Sequence, residues 1–132
     1  MAGDWIITGG RPLQGRVEVP AAKNSVLPLL AATLLCAQPC TLRRVPLLRD
    51  VQTSLDLLRA VGSGEAWAGQ DLVTKPARQI SGRVPTALAG AMRGSVFYLA
   101  PLLTRAGWAE LPLPGGCRLG PRPIDIHLAG LT

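Results

Sequence analysis

The spacing of apolar residues predicts one helix most clearly, between residues 50 and 61. Apolar side chains recur there at intervals of three and four, which places them on one helix face; they are Val51, Leu55, Leu58 and Val61. Asp50 stands where a capping side chain would accept backbone N–H groups. Gly62 follows, where helices commonly end in the left-handed conformation. We therefore expect a helix with one buried face and defined ends.

Similar patterns predict three further helices. The first covers residues 25–37, with Asn24 or Ser25 as its cap and Pro28 tolerated in its first turn. A long one covers residues 85–105, and Pro101 bends it near Phe97. A last helix begins near residue 124. The long helix has one apolar face, made of Leu88, Met92, Val96, Leu99 and Leu103.

Between the helices, short runs of apolar, β-branched or alternating residues predict strands. The runs are residues 5–8, 14–19, 41–45, 66–67, 72–74 and 108–113. A turn at Gly69 and Gln70 joins two of them, and residues 76–84 are predicted to form a loop. Strands and helices that alternate in this order are typical of an α/β fold.

The composition of the chain indicates an anionic ligand and a reducing environment. The chain is 48% hydrophobic and has a net charge of +6, and most of its 14 cations are arginine, which suits phosphate and carboxylate groups. We see no secretory signal and no run of about 18 apolar residues that would span a membrane. The odd number of cysteines, three, indicates free thiols and a cytoplasmic location. No Cys or His cluster predicts a metal, and we expect no cofactor.

Two isolated cations are candidates for binding an anion. Lys23 is the only charged residue between positions 19 and 42, and it precedes a predicted helix whose N-terminus attracts negative charge. Arg93 is the only charged residue between positions 84 and 104. The structural alternatives are a solvated surface lysine and an arginine that reaches water along its helix.

Several candidate catalytic and binding residues lie close together in the stretch from 113 to 131. The pair Gly115 and Gly116 allows backbone to approach a ligand closely. Cys117 follows, and the nearby Arg118 and Arg122 favour its thiolate, so it is a candidate nucleophile, acid or base. Its position outside any apolar run argues against a buried structural cysteine, which is the usual alternative.

The last predicted helix starts from a rigid segment. Pro121 and Pro123 fix the backbone on both sides of Arg122, next to a helix N-terminus that favours anions. Asp125 either caps this helix or accepts hydrogen bonds from a ligand, and it can share a side with Arg122. His127 is the only histidine, and a lone histidine is more often structural than catalytic.

Four segments together resemble the UDP-N-acetylglucosamine enolpyruvyl transferases. In order along the chain they are AAKNSVLPLLAA (21–32), VPLLRDV (45–51), AMRGS (91–95) and LPGGCRLGPRPIDIH (113–127). The last segment is specific and the others support it. The resemblance implies the fold of that family, an inside-out α/β barrel built from βαβαββ units. It also implies transfer of the enolpyruvyl group of phosphoenolpyruvate to the 3′-hydroxyl of UDP-N-acetylglucosamine, with release of phosphate, at the start of peptidoglycan and cell wall synthesis.

The resemblance assigns a role to each candidate residue. Lys23 and Asn24 would hold phosphoenolpyruvate, and Arg93 would contact a substrate phosphate or carboxylate. Cys117 would protonate the phosphoenolpyruvate methylene and would be the thiol that fosfomycin attacks. The nucleotide-sugar site would be lined by Arg122, Pro123, Ile124, Asp125 and Ile126.

The resemblance also implies an incomplete molecule. Family members have two domains with the active site in the cleft between them. Residues 1–20 would form strands that pack on the second domain, and residues 21–132 would form the first part of the N-terminal domain. Later substrate arginines and an acid/base aspartate would lie in the rest of the enzyme. We therefore expect the chain alone to be an inactive fragment that needs the C-terminal part.

Three other interpretations stay open. A transferase like 5-enolpyruvylshikimate-3-phosphate synthase would share the fold and phosphoenolpyruvate, although the Gly-Gly-Cys loop favours the nucleotide-sugar branch. A basic nucleic-acid-binding domain would need clustered cations and stacking aromatics, whereas the arginines are scattered and aromatics make up 4%. The third is a non-catalytic fragment that folds only partly, or only with a partner. We expect small-molecule substrates, and neither nucleic acid nor a membrane as partner.

Overall fold

Helices and one small sheet make up the molecule, which confirms the predicted α/β class. The computed structural model describes residues 4–115 and 123–131. No helix in these two ranges is long and apolar enough to cross a membrane. The regular elements are α1 (Lys23–Ala32), a first 3-10 helix (Thr33–Leu35), β1 (Cys40–Leu42), α2 (Arg49–Ala60), β2 (Gly64–Ala68), β3 (Asp71–Lys75), α3 (Thr86–Ala91), a second 3-10 helix (Arg93–Tyr98), α4 (Leu99–Ala106) and α5 (Asp125–Ala129).

The sheet has the order β1-β3-β2, and both neighbouring pairs are antiparallel. β2 and β3 form the predicted hairpin, in which Ala68 pairs with Asp71 across the turn at Gly69 and Gln70. Gly69 has a φ of 65°, a left-handed conformation that glycine adopts without strain. The predicted loop at 76–84 is also present, apart from one isolated bridge at Arg83.

β1 is shorter than the predicted strand at 41–45, and it begins one residue earlier, at Cys40. The chain turns at Arg44, which has a φ of 52°. The Arg44 backbone N–H donates to the Asp71 carboxylate at 2.8 Å, and this bond holds the turn against the hairpin. The predicted strand therefore does not extend over residues 43–45.

α2 confirms the predicted apolar stripe, since Val51, Leu55 and Leu58 are buried, and so is Val61 just after the helix. Gly62 has a φ of 103° and ends the helix as predicted. The Gly62 and Ser63 N–H groups donate to the carbonyls of residues 59 and 58, at 3.0 and 2.9 Å, which is a Schellman motif. The cap was predicted wrongly. The N-cap residue is Leu48, with no side-chain capping bond, and Asp50 lies inside the first turn.

α1 begins two residues earlier than predicted and ends five residues earlier, at Ala32, after which the chain continues as the first 3-10 helix. Ala22 occupies the N-cap position and no side chain caps the helix, so neither Asn24 nor Ser25 acts as predicted. The early start puts Pro28 in the second turn. Since proline has no backbone N–H, Pro28 cannot donate to the Asn24 carbonyl oxygen.

The long helix predicted at 85–105 is wrong. Met92 is extended, with φ −146° and ψ 145°, and separates α3 from the second 3-10 helix and α4. Burial explains the break: the buried residues recur every three positions, the period of a 3-10 helix, as Ala89, Met92, Ser95, Tyr98 and Pro101. The predicted stripe, Met92 excepted, is only half-buried. α4 ends at Gly107, which has a φ of 77°.

Three predicted strands are absent. Residues 5–8 and 14–19 contain no regular structure, and Trp5 is 92% exposed, because no strand in the described ranges pairs with them. Residues 108–113 make a single parallel bridge, between Glu110 and Arg83. Pro112 and Pro114 follow and have no N–H to donate, so the ladder cannot continue.

The core lies where α1, α2, the second 3-10 helix and α4 meet β3. Its fully buried side chains include Leu30, Leu55, Leu58, Leu72 and Leu102. Tyr98 is also fully buried, and its hydroxyl lies 2.6 Å from the Ser54 hydroxyl and donates to the Ser54 carbonyl at 2.9 Å. Burial raises the Tyr98 pKa above its ordinary value. This network joins α2 to the helix that carries Arg93.

Candidate anion-binding site

One open cavity of about 670 Å³ collects three of the predicted substrate-binding residues, Lys23, Asn24 and Arg93. They lie far apart in the sequence, so only the fold brings them together. The cavity is lined by Lys23, Asn24, Leu27, Asp50, Ala91, Met92, Arg93, Gly94, Val96, Phe97 and His127.

Helix N-termini place the polar residues of this cavity. The first turn of α1 carries Lys23 and Asn24, the first turn of α2 carries Asp50, and the second 3-10 helix starts with Arg93. The first N–H groups of a helix have no partner within it, and they give its N-terminus a partial positive charge. α1 packs against both α2 and the second 3-10 helix. The cavity therefore places two cationic side chains beside the first turns of α1 and α2.

Lys23 is held by an acidic partner in this cavity. Its ammonium nitrogen lies 2.5 Å from an Asp50 carboxylate oxygen, and the two side chains are 48% and 32% exposed. The alternative that the sequence leaves open, a solvated surface lysine, is compatible with this exposure, so a role of Lys23 in anion binding stays a prediction. Asp50 itself was missed as a site residue. It stands in one of the four motif segments, but its place before an apolar stripe indicated a cap.

Arg93 is placed by the break at Met92. The extended Met92 backbone ends α3 and lets a new helical turn begin at Arg93, whose half-buried side chain lines the cavity. Gly94 lets this turn approach α1, since a Cβ there would lie 3.3 Å from a Leu27 methyl carbon. Leu27 and Phe97 supply an apolar part of the wall. Charged groups thus stand beside apolar ones, as in many small-molecule sites.

Gly115 fixes the chain against the end of α3. Its N–H donates to the Ala89 carbonyl at 3.0 Å, and a Cβ on Gly115 would lie 1.7 Å from the Gly90 carbonyl oxygen. Gly115 therefore permits a close approach to Gly90 of the protein itself, and the predicted approach to a ligand stays a prediction. Gly116, Cys117, Arg118, Pro121 and Arg122 lie outside the described residues.

The described residues predicted for the nucleotide-sugar site lie elsewhere than this cavity. Pro123, Asp125 and Ile126 are exposed and Ile124 is half-buried, and none of them lines the cavity. Their role in substrate binding stays a prediction. His127, for which a structural role was favoured, does line it. Its single occurrence in the sequence gave no signal for this position, because the contact depends on where α5 lies.

The other two cysteines form a separate feature. Cys36 and Cys40 are free and half-buried, and neither lines the cavity. The Cys40 pKa is raised most by a hydrogen bond with the Cys36 thiol and to a smaller extent by burial. Within residues 4–115 and 123–131, no three His, Cys, Asp or Glu side chains group closely enough to hold a metal.

Comparison with known proteins assigns the chain to a family. Residues 7–132 match the family described as EPSP synthase (3-phosphoshikimate 1-carboxyvinyltransferase). UDP-N-acetylglucosamine 1-carboxyvinyltransferase from Solibacter usitatus is 44% identical over 96% of this chain. The enzymes of that name from Deinococcus radiodurans and Thermotoga maritima are 43% and 41% identical over 95% and 98%. The chain spans only 30% to 31% of the length of these relatives.

A solved structure supports the same assignment at the level of the fold. The enolpyruvyl transferase NikO from Streptomyces tendae superposes with a TM-score of 0.62, over 75% of this chain and 23% of that one, at 24% sequence identity. This likeness confirms the predicted enolpyruvyl transferase fold. The match over residues 7–132 leads to one conclusion: the chain belongs to the EPSP synthase family.

Proposed function

We propose that the chain forms part of a UDP-N-acetylglucosamine 1-carboxyvinyltransferase, which transfers the enolpyruvyl group of phosphoenolpyruvate to the 3′-hydroxyl of UDP-N-acetylglucosamine and releases phosphate. The observation that carries the proposal is the cavity that gathers Lys23, Asn24 and Arg93. The names of the relatives support this acceptor over shikimate 3-phosphate.

The chemistry of the cavity suits phosphoenolpyruvate. This substrate carries a phosphate and a carboxylate, and transfer requires the phosphate to leave after the sugar hydroxyl has added to the enol carbon. The Arg93 guanidinium can bind either group through two parallel N–H bonds, while the Lys23 ammonium acts as a point charge. Fixed positive groups of this kind stabilise the charge on a departing phosphate, which is commonly the largest catalytic contribution.

Other parts of the proposal rest on the sequence motif and the relatives. Cys117 protonates the phosphoenolpyruvate methylene and is the thiol modified by fosfomycin. Residues 122–126 line the nucleotide-sugar site. The rest of the enzyme supplies the other side of the cleft, and the reaction serves peptidoglycan synthesis in the cytoplasm, hence cell wall formation, cell shape and cell division.

A chimera tests the proposal. Residues 1–132 would replace the corresponding segment of the Thermotoga maritima relative, which the chain matches at 41% identity. We expect phosphate release that depends on both phosphoenolpyruvate and UDP-N-acetylglucosamine, and a loss of this activity in Lys23→Met. Preference for shikimate 3-phosphate as the acceptor would contradict the proposed substrate.

Fosfomycin labelling tests the role of Cys117 in the same chimera. With UDP-N-acetylglucosamine present, mass spectrometry should find one adduct, on Cys117, and the matched control Cys36→Ser should label equally. An adduct on Cys36 instead, or labelling that survives in Cys117→Ser, would refute the assignment.

A further inference from the structure

Asp50 is out of place in a cavity proposed to bind anions. It is the only acidic side chain among the described residues that line the cavity. A carboxylate repels phosphate and carboxylate ligands, so its presence weakens the binding that the neighbouring cations provide. Its position therefore calls for a role other than direct ligand binding.

The structure gives Asp50 a specific contact. One of its carboxylate oxygens lies 2.5 Å from the Lys23 ammonium nitrogen, across the interface between α1 and α2. Asp50 does not cap α2, because the N-cap residue is Leu48 and no side chain makes the capping bond. A first-turn carboxylate does favour its own helix, but any exposed acid in that turn would do the same without reaching Lys23.

We propose that Asp50 is a positioning residue that holds the Lys23 ammonium at the cavity until an anionic group of the substrate takes it over. This inference rests on the proposed function. Asp50 therefore has two effects. It weakens the affinity for phosphate, and it fixes the direction from which Lys23 meets the ligand.

Partial exposure makes such an exchange possible. With side chains 48% and 32% exposed, the pair is screened by water and is far weaker than a buried pair. An incoming phosphate meets Lys23 and also Arg93, which lines the same cavity. The phosphate can contact both cations, whereas the carboxylate contacts Lys23 alone, so we expect the ammonium to pass to the ligand.

Binding of inorganic phosphate and of phosphoenolpyruvate to the chimera, in which the rest of the enzyme is present, tests the inference by isothermal titration calorimetry. Asp50→Asn keeps the shape and removes the charge, and we expect about tenfold tighter binding. Asp50→Glu keeps the charge and should stay close to the wild type. Asp56→Asn is the matched control, since Asp56 is an ion-paired aspartate of the same helix, bonded to Arg59 and away from the cavity. It should leave binding unchanged.

A double-mutant cycle separates positioning from simple repulsion. In the Lys23→Met background the gain from Asp50→Asn should shrink clearly, because only the direct repulsion between Asp50 and the ligand is left. In the chimera, Asp50→Asn should lower the KM for phosphoenolpyruvate and also lower kcat, a split that a structural defect alone does not produce.

Two results would overturn the inference, and they differ. If Asp50→Asn binds phosphate no more tightly than the wild type, or gains as much without Lys23, Asp50 does not act through Lys23, while the proposed function stands. If neither the chimera nor any of its variants binds phosphate or phosphoenolpyruvate, the proposed anion site fails and the inference fails with it.

Discussion

The hydroxyl of Tyr98 offers a sharp test of how the site is held. Tyr98 is fully buried and bonds both the Ser54 hydroxyl and the Ser54 carbonyl, so it joins the second 3-10 helix to α2. Tyr98→Phe keeps the packed ring and removes only these bonds. The substitution therefore isolates the polar link between the helix of Arg93 and the helix of Asp50.

The expected loss follows from the buried bonds. Each lost hydrogen bond contributes a net 0.5 to 1.5 kcal/mol, roughly, and an unsatisfied buried hydroxyl costs about 1 to 3 kcal/mol. We expect Tyr98→Phe to lower the free energy of unfolding by about 2 kcal/mol, because Ser54 also loses its partner. Ser54→Ala should cost less, about 1 kcal/mol, since Tyr98 can still donate to the backbone carbonyl.

Urea unfolding followed by tryptophan fluorescence measures these losses, with an unchanged m-value as the check that only stability has changed. The loss in the double variant Tyr98→Phe/Ser54→Ala should be about 1 kcal/mol smaller than the sum of the two single losses, because the Ser54 hydroxyl that Tyr98→Phe leaves without its partner is absent. Thr53→Val is the control: its hydroxyl bonds Arg49 near the surface of the same helix, and it should cost under about 0.5 kcal/mol. A Tyr98→Phe loss as small as that of Thr53→Val, or additive losses, would refute the reasoning.

Three further predictions concern pH and glycine. Burial raises the Tyr98 pKa in the folded state above the unfolded-state pKa of about 10. The protonated hydroxyl therefore contributes its full stability below that pH, and this contribution is lost as the pH rises further. In urea titrations above that pH, the free energy of unfolding should decline more steeply with pH for the wild type than for Tyr98→Phe. Gly82→Ala would put a Cβ 2.5 Å from the Trp108 carbonyl oxygen and should cost at least about 2 kcal/mol in the same assay, whereas Gly64→Ala, with its nearest atom at 3.7 Å, should not. A Cβ on Gly90, in α3, would have no neighbouring atom within 4 Å. Gly90→Ala should therefore raise the free energy of unfolding by about 0.5 to 1 kcal/mol, seen as a higher thermal midpoint.

Local signals predicted some elements well. Gly62 after an apolar stripe fixed the end of α2, and the turn at Gly69 fixed the hairpin, because both depend on neighbours in the sequence. The break at Met92 depends on something else. Over a few turns, an α-helix and a 3-10 helix predict nearly the same spacing of buried residues. The period of three can be recognised only from the structure, in which Ser95 and Tyr98 are buried.

Other features depend on partners that the sequence does not name. Alternation alone predicted strands at 5–8 and 14–19, but a strand needs a neighbour, and the described chain provides none for them. In the site, Lys23 and Arg93 were found because each is an isolated charge in an apolar stretch. Asp50 and His127 were not assigned to it, since their positions depend on how α2 and α5 lie against α1.

The exposed apolar side chains near the N-terminus favour self-association of the chain. Trp5, Ile6, Leu13 and Val17 are between 86% and 99% exposed, a density of apolar surface that soluble monomers rarely present. A net charge of +6 opposes self-association at low salt, and added salt screens this repulsion while leaving the apolar attraction in place. The solubility of the chain should therefore fall as ionic strength rises. Because association also shifts apparent stability by mass action, variants are comparable only at equal protein concentration and equal salt.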